Sequence, residues 1–153
     1  MRPDTDAAEV RWLRGSAELA GAFALREEVF YGEQGVPREE DIDGRDADAH
    51  HVVALDPASG RVIGTLRLML EEHPAKIGRV AVDRRWRRRG IAARMLALAL
   101  ERARREGFVQ VRLAAQLRAT AVYEQAGFRV ESEPFEEAGI AHVWMGRSLT
   151  PSE

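Results

Sequence analysis

A mixed α/β fold is what this sequence predicts, and three observations predict it. β-type runs alternate with two stretches of helical apolar periodicity, over 17–32 and 91–106. The runs 51–55 and 61–70 are separated only by DPASG, a Pro- and Gly-bearing reverse turn, so they read as an antiparallel hairpin. The succession of strand 76–82, helix and strand 108–114 is a βαβ unit, whose strands must run parallel. At 153 residues and 45% hydrophobic composition the chain suits one core rather than two. Residues 1–153 are therefore expected to form a single domain, with 1–8 and 150–153 fraying.

Each element has its own local reason. Residues 10–13 are β-compatible and stop at Gly15; Ser16 is then positioned as an N-cap. Leu19, Ala22, Phe23, Arg26, Val29 and Phe30 recur at helical spacing up to a stop near Gly32. Residues 32–48 break into a carboxylate-rich loop punctuated by Gly35, Pro37 and Gly44, long enough to be a candidate substrate lid. Simple alternation along 76–82 sets Ile77, Arg79 and Ala81 on one face and Val80 and Val82 on the other. Ile91, Met95, Leu96, Leu98, Ala99, Leu100 and Ala103 then make a broad apolar stripe that ends at Gly107. A short helix over 119–125 closes at Gly127, and 128–130 and 140–149 form a last strand pair joined by the acidic loop SEPFEEAG.

Composition removes several function classes. The 23 basic and 25 acidic residues give a formal net charge of -2, which disfavours a dedicated nucleic-acid binder. Cysteine is absent, excluding thiolate metal sites and a cysteine nucleophile and suiting a reducing, cytoplasmic setting. The charged start carries no signal-peptide pattern, and no segment approaches the roughly 20 apolar residues of a spanning helix, so no membrane association is expected. The acidic run at 41–48 fails the calcium-loop template, and His50, His51, His73 and His142 lack ligand spacing, so no metal is expected.

Two motifs carry chemistry. Arg87, Arg88, Arg89, Gly90, Ile91 and Ala92 fit [Gln/Arg]-x-x-Gly-x-[Gly/Ala] between an expected strand and an expected helix, where unpartnered amides and the helix dipole favour a phosphate. Taken alone, the same run also describes a solvated basic turn. Tyr123 precedes Gly127 and Phe128; taken alone, it also describes a core aromatic with a wet hydroxyl. Together, VAVDRRWRRRGIAARML and AVYEQAGF resemble the GNAT superfamily of acyl-CoA-dependent N-acyltransferases. LREEVFYGEQGVPREEDIDGRDADAHHVVAL and FEEAGIAHVWM extend that resemblance to its ElaA-like branch.

The resemblance implies a GNAT-type fold: a central mixed sheet with a splayed parallel strand pair, flanked by helices. It implies that Val80, Ala81 and Val82 bond the pantetheine arm of acetyl-CoA. Backbone amides of Arg88, Arg89, Gly90, Ile91, Ala92 and Ala93 would hold the pyrophosphate, with the guanidinium groups of Arg87, Arg88 and Arg89 available to the phosphates. Gln116 stands where many members carry Asn and would reach the pantetheine. Tyr123 would protonate the leaving thiolate after direct attack by a primary amine in a ternary complex. For a general base the candidates are Glu33, His51, Glu136 and His142, or water. Glu33, Gln34, His51, Arg67 and His142 are expected to border the acceptor pocket.

Arg67 and Arg79, charged within apolar strands, either pair with Glu33, Asp41 or Asp43 or recognise an anionic group on the acceptor. The acceptor is a small-molecule or protein amine, no nucleic acid is involved, and the protein is a monomer or homodimer. A CoA-binding module without turnover is the alternative reading.

Overall fold

The computed structural model describes residues 7–36 and 43–150. β1 (Glu9–Trp12), β2 (His50–Leu55), β3 (Val62–Met69) and β4 (Ala75–Val82) form an antiparallel meander. β5 (Gln110–Gln116) lies parallel to β4, and β8 (Ile140–Ser148) pairs antiparallel with β5. β6 (Arg129–Val130) and β7 (Phe135–Glu137) both pair with β8, completing an eight-stranded sheet ordered β1-β2-β3-β4-β5-β8-β6. The expected strand 108–114 begins two residues later, because Phe108 is drawn into the core ahead of the ladder. The SEPFEEAG segment, expected as a plain loop, contains β7, which turns back onto β8 at Ala138 and Gly139, both at positive φ.

The helices cover opposite faces. α2 (Ile91–Arg105) buries Ile91, Met95, Leu96, Ala99, Leu100 and Ala103 in the larger core with Leu66, Leu113 and Met145, as its apolar stripe requires. The larger core also takes in Ala8, so within the 1–8 segment expected to fray the chain is packed by that point. α1 (Ser16–Arg26) packs Ala22 and Leu25 against Val53, Leu55, Val62 and Ala81 in a second core. Gly15, not Ser16, occupies its N-cap, and Ser16 is already helical. Beyond Arg26 the chain widens into a π-helical turn, Glu27–Glu33, which lays Val29 and Phe30 on the same core. Wide turns of this kind are rare and gather at functional sites. α3 (Thr120–Gln125) packs on α2 and β5.

Two irregularities shape the sheet. β4 and β5 pair only at Ala75 with Val111 and Lys76 with Arg112; beyond that they part, opening a wedge between their C-terminal ends. A bulge in β4 also sets Thr65 against Ala81 but Arg67 against Gly78, with Arg79 at φ 52°. The inserted residue inverts the side-chain alternation beyond it. Ile77, Val80 and Val82 consequently face the α2 core and Ala81 the α1 core, which corrects the expectation that Ile77 and Ala81 share a face.

Gly64 lies where β3 meets the start of α2. A Cβ there would stand 3.0 Å from Ala54 Cβ, 3.2 Å from Ile91 Cγ2 and 3.4 Å from Met95 Cε. Gly64→Val is expected to destabilise the chain by about 1–3 kcal/mol through overpacking, read as a lowered urea midpoint.

Candidate functional site

The wedge and the start of α2 form one continuous feature. β4 ends at Val82, Asp83 begins a 3-10 turn (Arg84–Trp86), and Gly90 at φ 77° admits the chain to α2. An αL N-cap suits glycine, and no side chain caps this helix. The first helical bond runs from Arg94 N–H to the Gly90 carbonyl. Amides of Ile91, Ala92 and Ala93 are thereby left without intrahelical acceptors, with the positive end of the dipole behind them. Arg88, itself at φ 64°, and Arg89 are exposed beside them. Above this cradle the parted β4 and β5 present strand edges that an extended, amide-bearing arm can bond as a further strand would.

Arg87 has a different placement from the expected one. Its Nε donates to the Val82 carbonyl at 2.9 Å, and its Nη1 and Nη2 donate to the two carboxylate oxygens of Glu33 at 2.7 and 3.0 Å. A guanidinium so engaged is not free for a phosphate, which corrects the expectation for its side chain. It ties the end of β4 to the end of the π-helical turn. The bidentate Arg87 contact also holds the Glu33 carboxyl below its ordinary pKa, which makes Glu33 a weak base.

That tie forms one edge of a cleft of about 360 Å³. Glu33 and Gln34 line it from the π-helical turn, Gln116, Leu117 and Arg118 from the end of β5, and Ile140 and Ala141 from the start of β8. Gln116 Nε2 donates to Gln34 Oε1 at 2.9 Å, and Arg118 Nε donates to Gln116 Oε1 at 3.2 Å. His142 lies directly across from Gln116 in the ladder, so the two side chains share a face. The His142 ring stacks on Phe135, and its Nδ1 donates to the Ile140 carbonyl at 2.7 Å. In the neutral ring this leaves the lone pair on Nε2. Glu136 is exposed on β7, opposite Ala141.

The remaining candidates gather elsewhere. Arg67, 3% exposed, donates to Asp43 at 2.9 and 2.5 Å and to Asp46 at 3.2 Å, while Arg79 reaches Asp43 at 3.3 Å. The buried Arg26 joins the same group through Asp46 at 2.8 Å. Of the partners expected for Arg67 and Arg79, Asp43 takes the role, Glu33 is given to Arg87, and Asp41 lies outside the described residues. His51 Nε2 donates to the Asp46 carbonyl at 3.0 Å, so His51 belongs to this cluster and does not line the cleft. The described end of the expected lid, residues 43–48, is thus anchored by buried cations. Arg67 and Arg79 hold the Asp43 carboxyl well below the usual range, Arg67 being the larger influence.

Tyr123 rides on α3 against the β5 wall, 8% exposed, with its ring edge-on to Phe128 at 6.2 Å between centroids. Burial pushes its phenol up to about 12, so the proton is retained throughout the neutral range. Sequence reasoning missed Arg118, Leu117, Ile140 and Ala141 in the cleft and Arg26 with Asp46 in the ion-pair cluster. Arg26 left a signal, a cation on the apolar stripe of a helix; a chain turn after β5 left none for Arg118.

The chain belongs to the GNAT acetyltransferase family, since residues 15–149 match the model described as "Acetyltransferase (GNAT) domain". Among curated relatives, it is 35% identical over 137 residues to the uncharacterized N-acetyltransferase YjcF of Bacillus subtilis, spanning 86% of this chain and 94% of that one. Among solved structures, Escherichia coli ElaA superposes with a TM-score of 0.81 at 27% identity, covering 92% of this chain and 99% of that one. An acyl-CoA N-acyltransferase from Pseudomonas aeruginosa superposes with a TM-score of 0.79 at 30% identity and the same coverage. The likeness to ElaA agrees with the branch that the sequence resembles.

Asp83, 3% exposed, holds the junction between wedge and cradle. It accepts from Arg85 N–H at 2.9 Å and from the side chains of Arg85 and Arg61 at 3.1 Å each, and the Arg85 contacts foremost lower its pKa to about 2. A carboxylate depressed by folding stabilises fully above its unfolded pKa, about 4, and loses that contribution as pH falls through the folded value. Asp83→Asn is expected to lower Tm at pH 7, with the gap from wild type closing between pH ~4 and pH ~2.

Proposed function

We propose that the protein moves an acetyl group from acetyl-CoA to a primary amine by direct attack within a ternary complex. The observation that carries this reading is the wedge between β4 and β5 opening above the uncapped start of α2. An extended pantetheine arm is matched by the open strand edges at Val80, Ala81 and Val82. A pyrophosphate is matched by the amides of residues 88–93, with Arg88 and Arg89 beside it. Ala93 and Ala97, on the exposed flank of α2, border a groove of about 210 Å³ that leads along the helix to Gln125 and Arg147 and gives the rest of the cofactor a path.

The chemistry needs a neutral amine, a stabilised oxyanion and a protonated leaving group. N–H groups on the edge of β4 that β5 leaves unpaired beyond Lys76 are the donors this reading assigns to the oxyanion as the thioester carbonyl becomes tetrahedral. Tyr123 keeps its proton to neutral pH and beyond, and among the described residues its hydroxyl makes no hydrogen bond, so it is free to donate to the departing thiolate. His142, buried next to the lining residue Ala141 and across the ladder from Gln116, keeps its Nε2 lone pair open and is the better candidate to take the amine's proton once the acceptor is bound. Glu33, clamped by Arg87, instead fixes the edge of the acceptor cleft.

Acetyl transfer measured across an amine panel by thiol release tests the reading. Tyr123→Phe is expected to lower kcat by about 10²–10⁴-fold, the range for loss of a general acid, with coenzyme A affinity unchanged. Tight coenzyme A binding with no turnover on any amine would instead favour a CoA-binding module.

A further inference from the structure

The hydrogen bonds in the cleft have a direction, and that direction specifies a ligand. Arg118 Nε can only donate, so the Gln116 amide must turn its oxygen toward it. The Gln116 nitrogen is then aimed away and donates to Gln34 Oε1, which fixes the second amide in turn. The relay leaves the Gln34 amide hydrogens and the two Arg118 Nη groups with no acceptor among the described residues. Both residues line the cleft.

Charge points the same way. The one carboxylate in the lining, Glu33, has both oxygens taken by Arg87. Arg118 makes no salt bridge among the described residues, and Glu33, whose charge it feels at longer range, is already paired with Arg87. The cleft therefore presents unengaged donors and one uncompensated guanidinium. A polyamine, all donors and all positive, is mismatched to such a surface. A single planar carboxylate fits the guanidinium fork and the neighbouring amide, and its one negative charge balances that of Arg118. A phosphate group, nearly dianionic at neutral pH, exceeds that charge.

We propose that this cleft selects acceptors bearing a carboxylate beside the amine, namely free amino acids, with Arg118 and Gln34 as the specificity-determining residues. Held at the Arg118 rim, such a molecule leaves its amine to face the wedge. The fate of that amine rests on the acetyl-transfer reading above, whereas its binding does not.

Calorimetric titration of the coenzyme A-loaded protein with matched pairs tests the binding directly: lysine and cadaverine, tyrosine and tyramine, phenylalanine and phenethylamine. At least one amino acid is expected to bind about ten-fold or more tighter than its decarboxylated partner, the loss typical of a charge-assisted hydrogen bond. Arg118→Gln should remove that advantage while leaving the affinity for the decarboxylated amine in place. Gln34→Glu, which replaces donors by an anion, should reverse the preference. Equal binding within every pair, preference for the decarboxylated member, no binding by any amino acid, or an unaltered preference in Arg118→Gln would overturn the proposal. Amino-acid binding without acetylation would defeat the transfer reading alone; acetylation of both members of a pair without discrimination would defeat this proposal alone.

Discussion

Most of this architecture follows from the parting of β4 and β5 after two residues of pairing. Strand edges inside a sheet cannot be left dry and unbonded, so a sheet that opens in its middle must admit water or a ligand there. The molecule arranges its irregularities around that opening. The bulge at Arg79 turns β4 along one wall, the tight turn through Gly90 brings an uncapped helix beneath it, and β8 pairs along the full length of β5 to hold the other wall. The large core under α2 keeps the two walls from closing or drifting, since it takes side chains from β3, β4, β5 and β8 together.

Arginines serve three separate purposes here. Arg26 and Arg67 are buried cations that fasten residues 43–46 to α1 and β3, and removing either would strand carboxylates placed to meet it. Arg67 Nε has no acceptor among the described residues, while its Nη groups meet Asp43 and Asp46. Arg87 is a tether between the end of β4 and the π-helical turn, joining Val82 to Glu33. Arg88, Arg89 and Arg118 are left open to solvent, the first two at the cradle and the third at the cleft. Residue type alone does not separate these uses; the position of the nearest carboxylate does.

Much of the fold was legible because its signals are local. The hairpin rests on DPASG, the α2 stripe on its 3.6-residue period, and the cradle on a glycine between a strand and a helix. The face of Ala81 was not legible, since one bulged residue inverts the alternation and leaves no mark in the residues themselves. β7 escaped because three residues of strand within an acidic segment carry too little pattern. In the site, Glu33 and Gln34 were recognised as neighbours and the structure brings them together, with Gln116, expected at the pantetheine, lining the same cleft. His51 and Arg67 were placed with them, and the sheet instead carries both to the ion-pair cluster around Asp46. Partner choice across 20 to 54 residues of chain, such as Arg26 with Asp46 and Arg87 with Glu33, is set by tertiary packing and lies beyond any local reading.

We propose that wedge and cradle form one binding surface for coenzyme A. Amide chemical shifts recorded during a coenzyme A titration test it most directly. Saturable shifts are expected to concentrate at residues 80–82 and 88–93, reached together at a single stoichiometric equivalent. Shifts confined to the arginine turn with no response along β4, or no saturable shifts at all, would contradict it.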